Sequence, residues 1–142
     1  MKERIIIPVF LAGMILLPGC GSDKMKDGYY KAEMAEFSHG WKEYVCIEVE
    51  DDTIVSVEFN AKDSSGFVKA LDNEYMHNMG LTDGTYPNQY TRRYVQQLIE
   101  GQKDTKVELM TGATDSGDNF AKLVPAVMEQ ARKGDPRVVQ VK

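Results

Sequence analysis

Thr111, Gly112, Ala113, Thr114, Asp115 and Ser116 stand in one uninterrupted run, and these residue types could hold a phosphate. Gly112 and Ala113 carry no bulky side chain, so a phosphate and its tail can approach the backbone closely between the two threonines. The run precedes a strongly amphipathic segment, which places it where a helix begins. Asp115 or Ser116 is the expected N-cap. Beyond that cap, backbone amides and the positive end of the helix dipole face outward, an arrangement suited to an anion. The same residues have a plainer use, because Thr114 and Ser116 hydroxyls cap helices with no ligand present. On spacing alone the turn is a weak motif, and capping is its commoner use.

The elements that must position this run are legible from periodicity. Residues 29–35 alternate with Tyr30, Ala32 and Met34 on one side, as a half-buried strand does. Residues 43–50 and 54–59 alternate in the same way around Asp51, Asp52 and Thr53. They predict a hairpin whose apolar face is Val45, Ile47, Val49, Val55, Val57 and Phe59. Residues 65–79 carry Phe67, Leu71, Tyr75 and Met79 at intervals of four, predicting one helix stopped by Gly80. Pro87 opens the next helix and Gly101 ends it, with Tyr86, Tyr90, Tyr94 and Leu98 as a stripe. Such a stripe can wall a ring-shaped ligand, although core packing is its more common use.

Val107 to Met110 is expected to be a short strand. The last helix carries Phe120, Leu123, Val124, Val127 and Ala131 on one face and stops at Lys133–Gly134, with a kink or a looser first turn expected at Pro125. The order of elements predicts an α+β fold, an antiparallel or mixed sheet of N-terminal strands packed with three helices.

The N-terminus indicates where the domain works. Lys2 and Arg4 precede a thirteen-residue apolar run at 5–17, and small residues follow, which is the layout of an export signal. The run is shorter than the roughly 20 apolar residues that span a bilayer. It ends in Leu17-Pro18-Gly19-Cys20, which resembles a bacterial lipobox. Cys20 is therefore the expected lipidation site, and two acyl chains are what stable anchoring takes. This divides the chain into a signal peptide at 1–19, a tether at 20–26 and one domain at 27–142. The tether reaches on the order of 15 Å, so the domain sits close to its membrane.

Removing 1–19 from the 142 residues leaves 123, enough for one domain with a real core. It also leaves 15 basic against 21 acidic residues, taking the net charge from −5 to −6. That balance argues against nucleic acid as the main partner. With Cys20 lipidated, Cys46 has no internal disulfide partner, and alternation places it on the polar face of its strand, where no role is assigned to it. Two histidines without a carboxylate or cysteine at ligand spacing give no case for a metal site. No Ser/His/Asp set supports hydrolysis.

The segment 107–120 resembles the attachment segment of the bacterial FMN-binding domain family, found in the C subunit of the sodium-pumping NADH:quinone reductase, the Rnf G subunit and small surface lipoproteins. Residues 27–30, 38–42, 54–59, 75–79 and 134–135 resemble the lipoprotein branch, so the likeness covers nearly the whole mature domain. The family usually carries aspartate three residues before the first hydroxyl of its motif, and this chain has Glu108 there.

The resemblance implies FMN joined by a phosphoester to the last threonine of the motif, Thr114, with Thr111, Gly112, Ala113 and Ser116 around it. His39, Trp41 and Tyr75 are the expected ring contacts. It also implies loading after export by a flavin transferase that uses FAD and a divalent metal. The domain would then be an extracytoplasmic electron carrier rather than a catalyst, taking electrons from a membrane donor. Two other readings remain: a reductase binding FMN non-covalently, and a cofactor-free surface antigen or interaction module.

Overall fold

Alternating apolar and polar side chains make β1 (Gly28–Met34), β2 (Lys42–Glu50) and β3 (Thr53–Lys62), and these strands pair in sequence as an antiparallel meander. A computed structural model describes residues 23–142; the segment 1–19 expected to be a signal peptide and Cys20 lie outside the described residues. The β2–β3 turn has two central residues, Asp51 and Asp52, with φ of 47° and 62°. That left-handed pair matches the twist of a tight hairpin, and aspartate tolerates it better than most side chains. Asp52 accepts from Met25 N at 2.8 Å and pairs with Lys103 Nζ at 2.7 Å, while Asp51 N donates to Asp27 at 2.9 Å. The start of the domain is thereby fastened to this turn.

The register breaks once. Glu48 pairs with Ser56, but Val49 pairs with Ile54, so Val55 is an extra residue in a bulge. The bulge puts Ile54 in the core at 2% exposure and turns Val55 outward at 46%, which corrects the apolar face expected from simple alternation. A fourth strand, β4 (Val139–Val141), has no clear signal in its three residues. It pairs parallel to β1, giving a mixed sheet in the order β3-β2-β1-β4.

One face of the sheet is covered by α2 (Pro87–Gly101) and α3 (Thr114–Lys133). Pro87, Gly101 and Gly134 stand at the expected helix ends, and α3 runs uninterrupted through Pro125. Phe59, Tyr94 and Phe120 meet at the centre of the core, with ring centroids 4.8–6.0 Å apart. Tyr90, Tyr94 and Leu98 are buried, so most of the tyrosine stripe is core, while Tyr86 is exposed.

Two segments depart from expectation. Residues 65–79 do not form one helix. Asp63 Oδ1 accepts from the backbone N–H groups of Ser65 and Phe67, and Asp72 Oδ1 accepts from Tyr75 N at 2.9 Å. These side-chain bonds compete with the helical ladder. They leave a turn, a single 3₁₀ turn at Lys69–Leu71, and α1 (Asn73–Asp83). Phe67 and Leu71 stay exposed, and α1 passes Gly80 to end at Gly84, φ 72°. Residues 107–110 are not a strand. Their backbone bonds to side chains instead: Gln97 accepts from Glu108 N at 2.8 Å and donates to its carbonyl at 3.0 Å.

On the outer face of the sheet, Glu33 gathers Lys31 and Lys62 at 3.2 Å, Lys42 at 4.0 Å and Gln140 at 2.9 Å. Burial opposes its ionisation, but the bonds from Gln140, Lys31 and Lys62 outweigh it and hold the carboxyl at about 2 against an ordinary 4.5. A carboxyl lowered in the folded state stabilises above its unfolded pKa, and that contribution is lost as pH falls from about 4.5 toward 2. Glu33→Gln is therefore expected to cost about 1–3 kcal/mol in urea unfolding at pH 7. The gap to wild type should close near pH 2; a gap unchanged with pH would show that the charge contributes nothing.

Candidate functional site

The turn before α3 is built for close approach. Ala113 N donates to Met110 O at 3.0 Å, closing the turn. Gly112 sits at φ 81°, where a Cβ would collide with the Asp83 carbonyl oxygen, so only glycine lets the turn lie against the end of α1. The Tyr94 hydroxyl donates to Ala113 O and accepts from Met110 N, both at 3.0 Å. It bridges the two ends of the turn from inside the core.

Helix α3 begins at Thr114, two to three residues earlier than expected. Ala113 occupies the N-cap position, and no side chain caps the helix. Asp115 and Ser116 fall inside the first turn rather than at the cap. The first intrahelical bond runs from Gly117 N to Ala113 O at 3.0 Å. By helix geometry, the amides of Thr114, Asp115 and Ser116 therefore point away from the helix without ladder partners. Thr114 is exposed and Ser116 is buried.

These groups open on a cleft of about 370 Å³, within the size range of small-molecule sites. Gly112, Ala113, Thr114, Ser116, His39, Trp41 and Tyr75 all line it, although they come from three separate stretches of chain. Thr111 is exposed and lies outside the lining. Ser38 and Trp41 exchange backbone hydrogen bonds at 2.8 and 2.9 Å, closing a turn on His39, φ 50°, and Gly40, φ 85°. That turn aims Trp41 toward α1, where it meets Tyr75 edge to face with centroids 5.9 Å apart. Glu108 is exposed and does not line the cleft.

Of the lining residues not named as expected contacts, Glu43, Asn119 and Lys69 bear most on the polarity of the cleft. Glu43 stands in phase with Val45, Ile47 and Val49 on the core face of β2, and a carboxylate in that phase was a readable signal. It is buried and accepts from Asn119 Nδ2 at 2.7 Å, and Asn119 is the second of these. The third, Lys69, had no signal in its own neighbourhood. It is 8% exposed, with Nζ 4.6 Å from the Tyr75 ring centroid and 5.7 Å from that of Trp41. No carboxylate among the described residues comes within 4.0 Å of it. Burial disfavours its charge, but the hydroxyls of Tyr90 and Tyr75 and the carboxylate of Glu43 outweigh burial and raise its pKa. The cleft thus combines exposed helix amides, a hydroxyl at their edge, an aromatic pair and a buried ammonium.

The chain enters the domain at the opposite pole. Lys26 N donates to Ala131 O at 2.9 Å near the end of α3, and the 20 residues of that helix span about 30 Å. Cys46 lies outside the cleft on the outer face of the sheet, half-buried, and burial together with Glu58 pushes its thiol up.

No family model matches the chain. Over 126 residues it is 27% identical to the "15 kDa lipoprotein" of Treponema pallidum (strain Nichols), covering 88% of this chain and 89% of that protein. Its fold is similar to the crystal structure of the CPE2226 protein from Clostridium perfringens, with a TM-score of 0.77 and 30% identity, over 83% of this chain and 99% of that one.

Proposed function

We propose that this chain, which belongs to the family of the Clostridium perfringens CPE2226 protein, is a lipid-anchored extracytoplasmic carrier of FMN, with the cofactor joined through its phosphate to Thr114. One observation carries the reading: Thr114 stands exposed at the uncapped start of α3, in the same cleft as Trp41, Tyr75 and Lys69. A helix start without a capping side chain leaves its amides free for an anion. The name of the Treponema pallidum relative, together with Leu17-Pro18-Gly19-Cys20, supports the lipid anchor.

The residues present fit such a cofactor. Thr114 Oγ1 would hold the phosphate covalently, and the amides of Thr114, Asp115 and Ser116, with the Ser116 hydroxyl, would receive its remaining oxygens. Gly112 lets the turn pack against the end of α1, which brings that helix and the Thr114 turn to one cleft. Trp41 and Tyr75 would flank the ring, and Met79 closes the apolar side. When bound, the isoalloxazine supplies the electron chemistry, and the protein supplies orientation, polarity and access. An exposed Thr114 is reachable by a flavin transferase. A covalent bond suits a compartment where a dissociated flavin would be lost. The cleft lies at the pole away from the tether, so a membrane electron donor would have to extend beyond the bilayer surface to reach it.

Co-production with a flavin transferase tests the reading. The wild type is expected to stay yellow after denaturation and to gain the mass of FMN on Thr114, and Thr114→Ala is expected to lose both. Mass spectrometry of the native membrane-extracted protein reads lipid on Cys20 in the same measurement. Covalent flavin retained by Thr114→Ala would place the attachment elsewhere. Flavin released on unfolding would favour a reductase, and colourless protein a cofactor-free surface module.

A further inference from the structure

Lys69 is a buried cation with no ion-pair partner within 4.0 Å among the described residues, in a cleft whose one buried carboxylate, Glu43, is already bonded to Asn119. Its charge is held by the neighbouring aromatic side chains and by Glu43 at longer range rather than by a close ion pair, so an anionic group entering the cleft would meet a cation that no contacting carboxylate neutralises. The phosphate does not need it, because the amides at the start of α3 already serve that group. Lys69 Nζ lies instead over the faces of Trp41 and Tyr75, in the aromatic half of the cleft where a planar ring would stack. We infer that Lys69 faces the flavin ring and compensates the negative charge that the ring acquires on reduction, which makes it the residue that sets the carrier's reduction potential.

This inference rests on the FMN reading above. Two electrons and one proton convert the oxidised ring to a form with one net negative charge, shared between N1 and the neighbouring C2 carbonyl; a chemical reductant such as dithionite supplies the electrons in the test. An ammonium beside that edge favours the anion over its protonated form and over the oxidised ring. The other titratable groups facing or lining this space are Glu43 of β2, His39, Tyr75 and Asp83 of α1, Tyr90 of α2 and Asp115 of α3. Of these, the carboxylates of Glu43, Asp83 and Asp115 work against the anion, which leaves Lys69 as the cation that favours it. Its neighbours outweigh burial and keep Lys69 protonated through neutral pH, so its contribution does not change between pH 5 and 8.

The test compares wild type, K69M, K69Q and K69R after co-production with the flavin transferase, with FMN on Thr114 counted by mass before any other reading. Each loaded protein is titrated with dithionite against a reference dye from pH 5 to 8. At a fixed poise K69M and K69Q are expected to show the reduced-to-oxidised ratio lowered at least tenfold, a shift of about 30 mV for a two-electron couple; K69R should stay within about threefold of wild type. The pH at which uptake changes from two protons to one should rise in the neutral variants, since the lost cation no longer disfavours the second proton. A purely structural lysine would move neither quantity in a loaded, folded variant. Loaded neutral variants with the wild-type potential and the wild-type break would overturn the role of Lys69 and leave the carrier reading standing. Neutral variants that fold but take no FMN, beside a loaded K69R, would assign the lysine to the phosphate and overturn the inference as well. A wild type that takes no FMN overturns the carrier reading itself and the inference with it.

Discussion

Phe120→Ala is expected to lower the unfolding free energy by about 3–5 kcal/mol, a large part of the 5–15 kcal/mol of a typical domain. Phe120 is fully buried, and its ring meets Phe59 of β3 at 4.8 Å and Tyr94 of α2 at 5.5 Å. Three elements far apart in the chain thus converge on one side chain. Truncation removes the transfer free energy of the ring and leaves a cavity that neither the sheet nor α2 can fill without moving. The residue lies two turns into α3, below the helix start that carries Thr114, so the loss should also loosen the cleft. Urea unfolding of Phe120→Ala and Phe120→Leu checks this, with leucine retaining most of the stability. A loss below about 1 kcal/mol for the alanine variant would mean that the core collapses around the gap.

Tyr94→Phe removes one oxygen and is expected to cost about 1–3 kcal/mol. It should also reduce covalent loading at Thr114. The hydroxyl holds Met110 N and Ala113 O at once; without it the Met110 amide loses its partner, while Ala113 O keeps the bond from Gly117 N. The same oxygen fills the space where a Cβ on residue 117 would fall, with Leu109 Cδ2 also only 2.6 Å from that position. Gly117 is therefore required within the first turn of α3 despite its poor helix propensity. Hydrogen exchange of the Met110 amide, read beside stability and FMN stoichiometry, separates a loosened turn from general destabilisation. Unchanged protection of that amide would show that the turn is held by something other than Tyr94.

Much of the fold was readable because its signals are local. Alternation over β1 to β3, proline at the start of α2 and glycine after α3 depend on side-chain period and on backbone sterics within a few residues. The misreadings share a different cause. Gln97 satisfies the backbone at Glu108, so the apolar run at 107–110 needs no strand partner. Asp63 and Asp72 bond to nearby amides and break the stripe at 65–79 into a turn and a short helix. In each case a side-chain hydrogen bond outcompeted a hydrophobic pattern, and periodicity carries no information about such bonds.

By itself the sequence determined an α+β chain with a hydroxyl-rich turn ahead of an amphipathic helix, because periodicity and turn chemistry are written in neighbouring residues. Only the tertiary structure decided that Trp41, Tyr75 and Thr114 share one cleft, that β4 closes the sheet beside β1, and that Glu43, Asn119 and Lys69 belong with them. Those residues are brought together by the packing of α2 and α3 on the sheet and by the turns that follow β1 and β3. A buried ammonium beside two aromatic rings is a product of that packing, and nothing in the residues next to Lys69 specifies it.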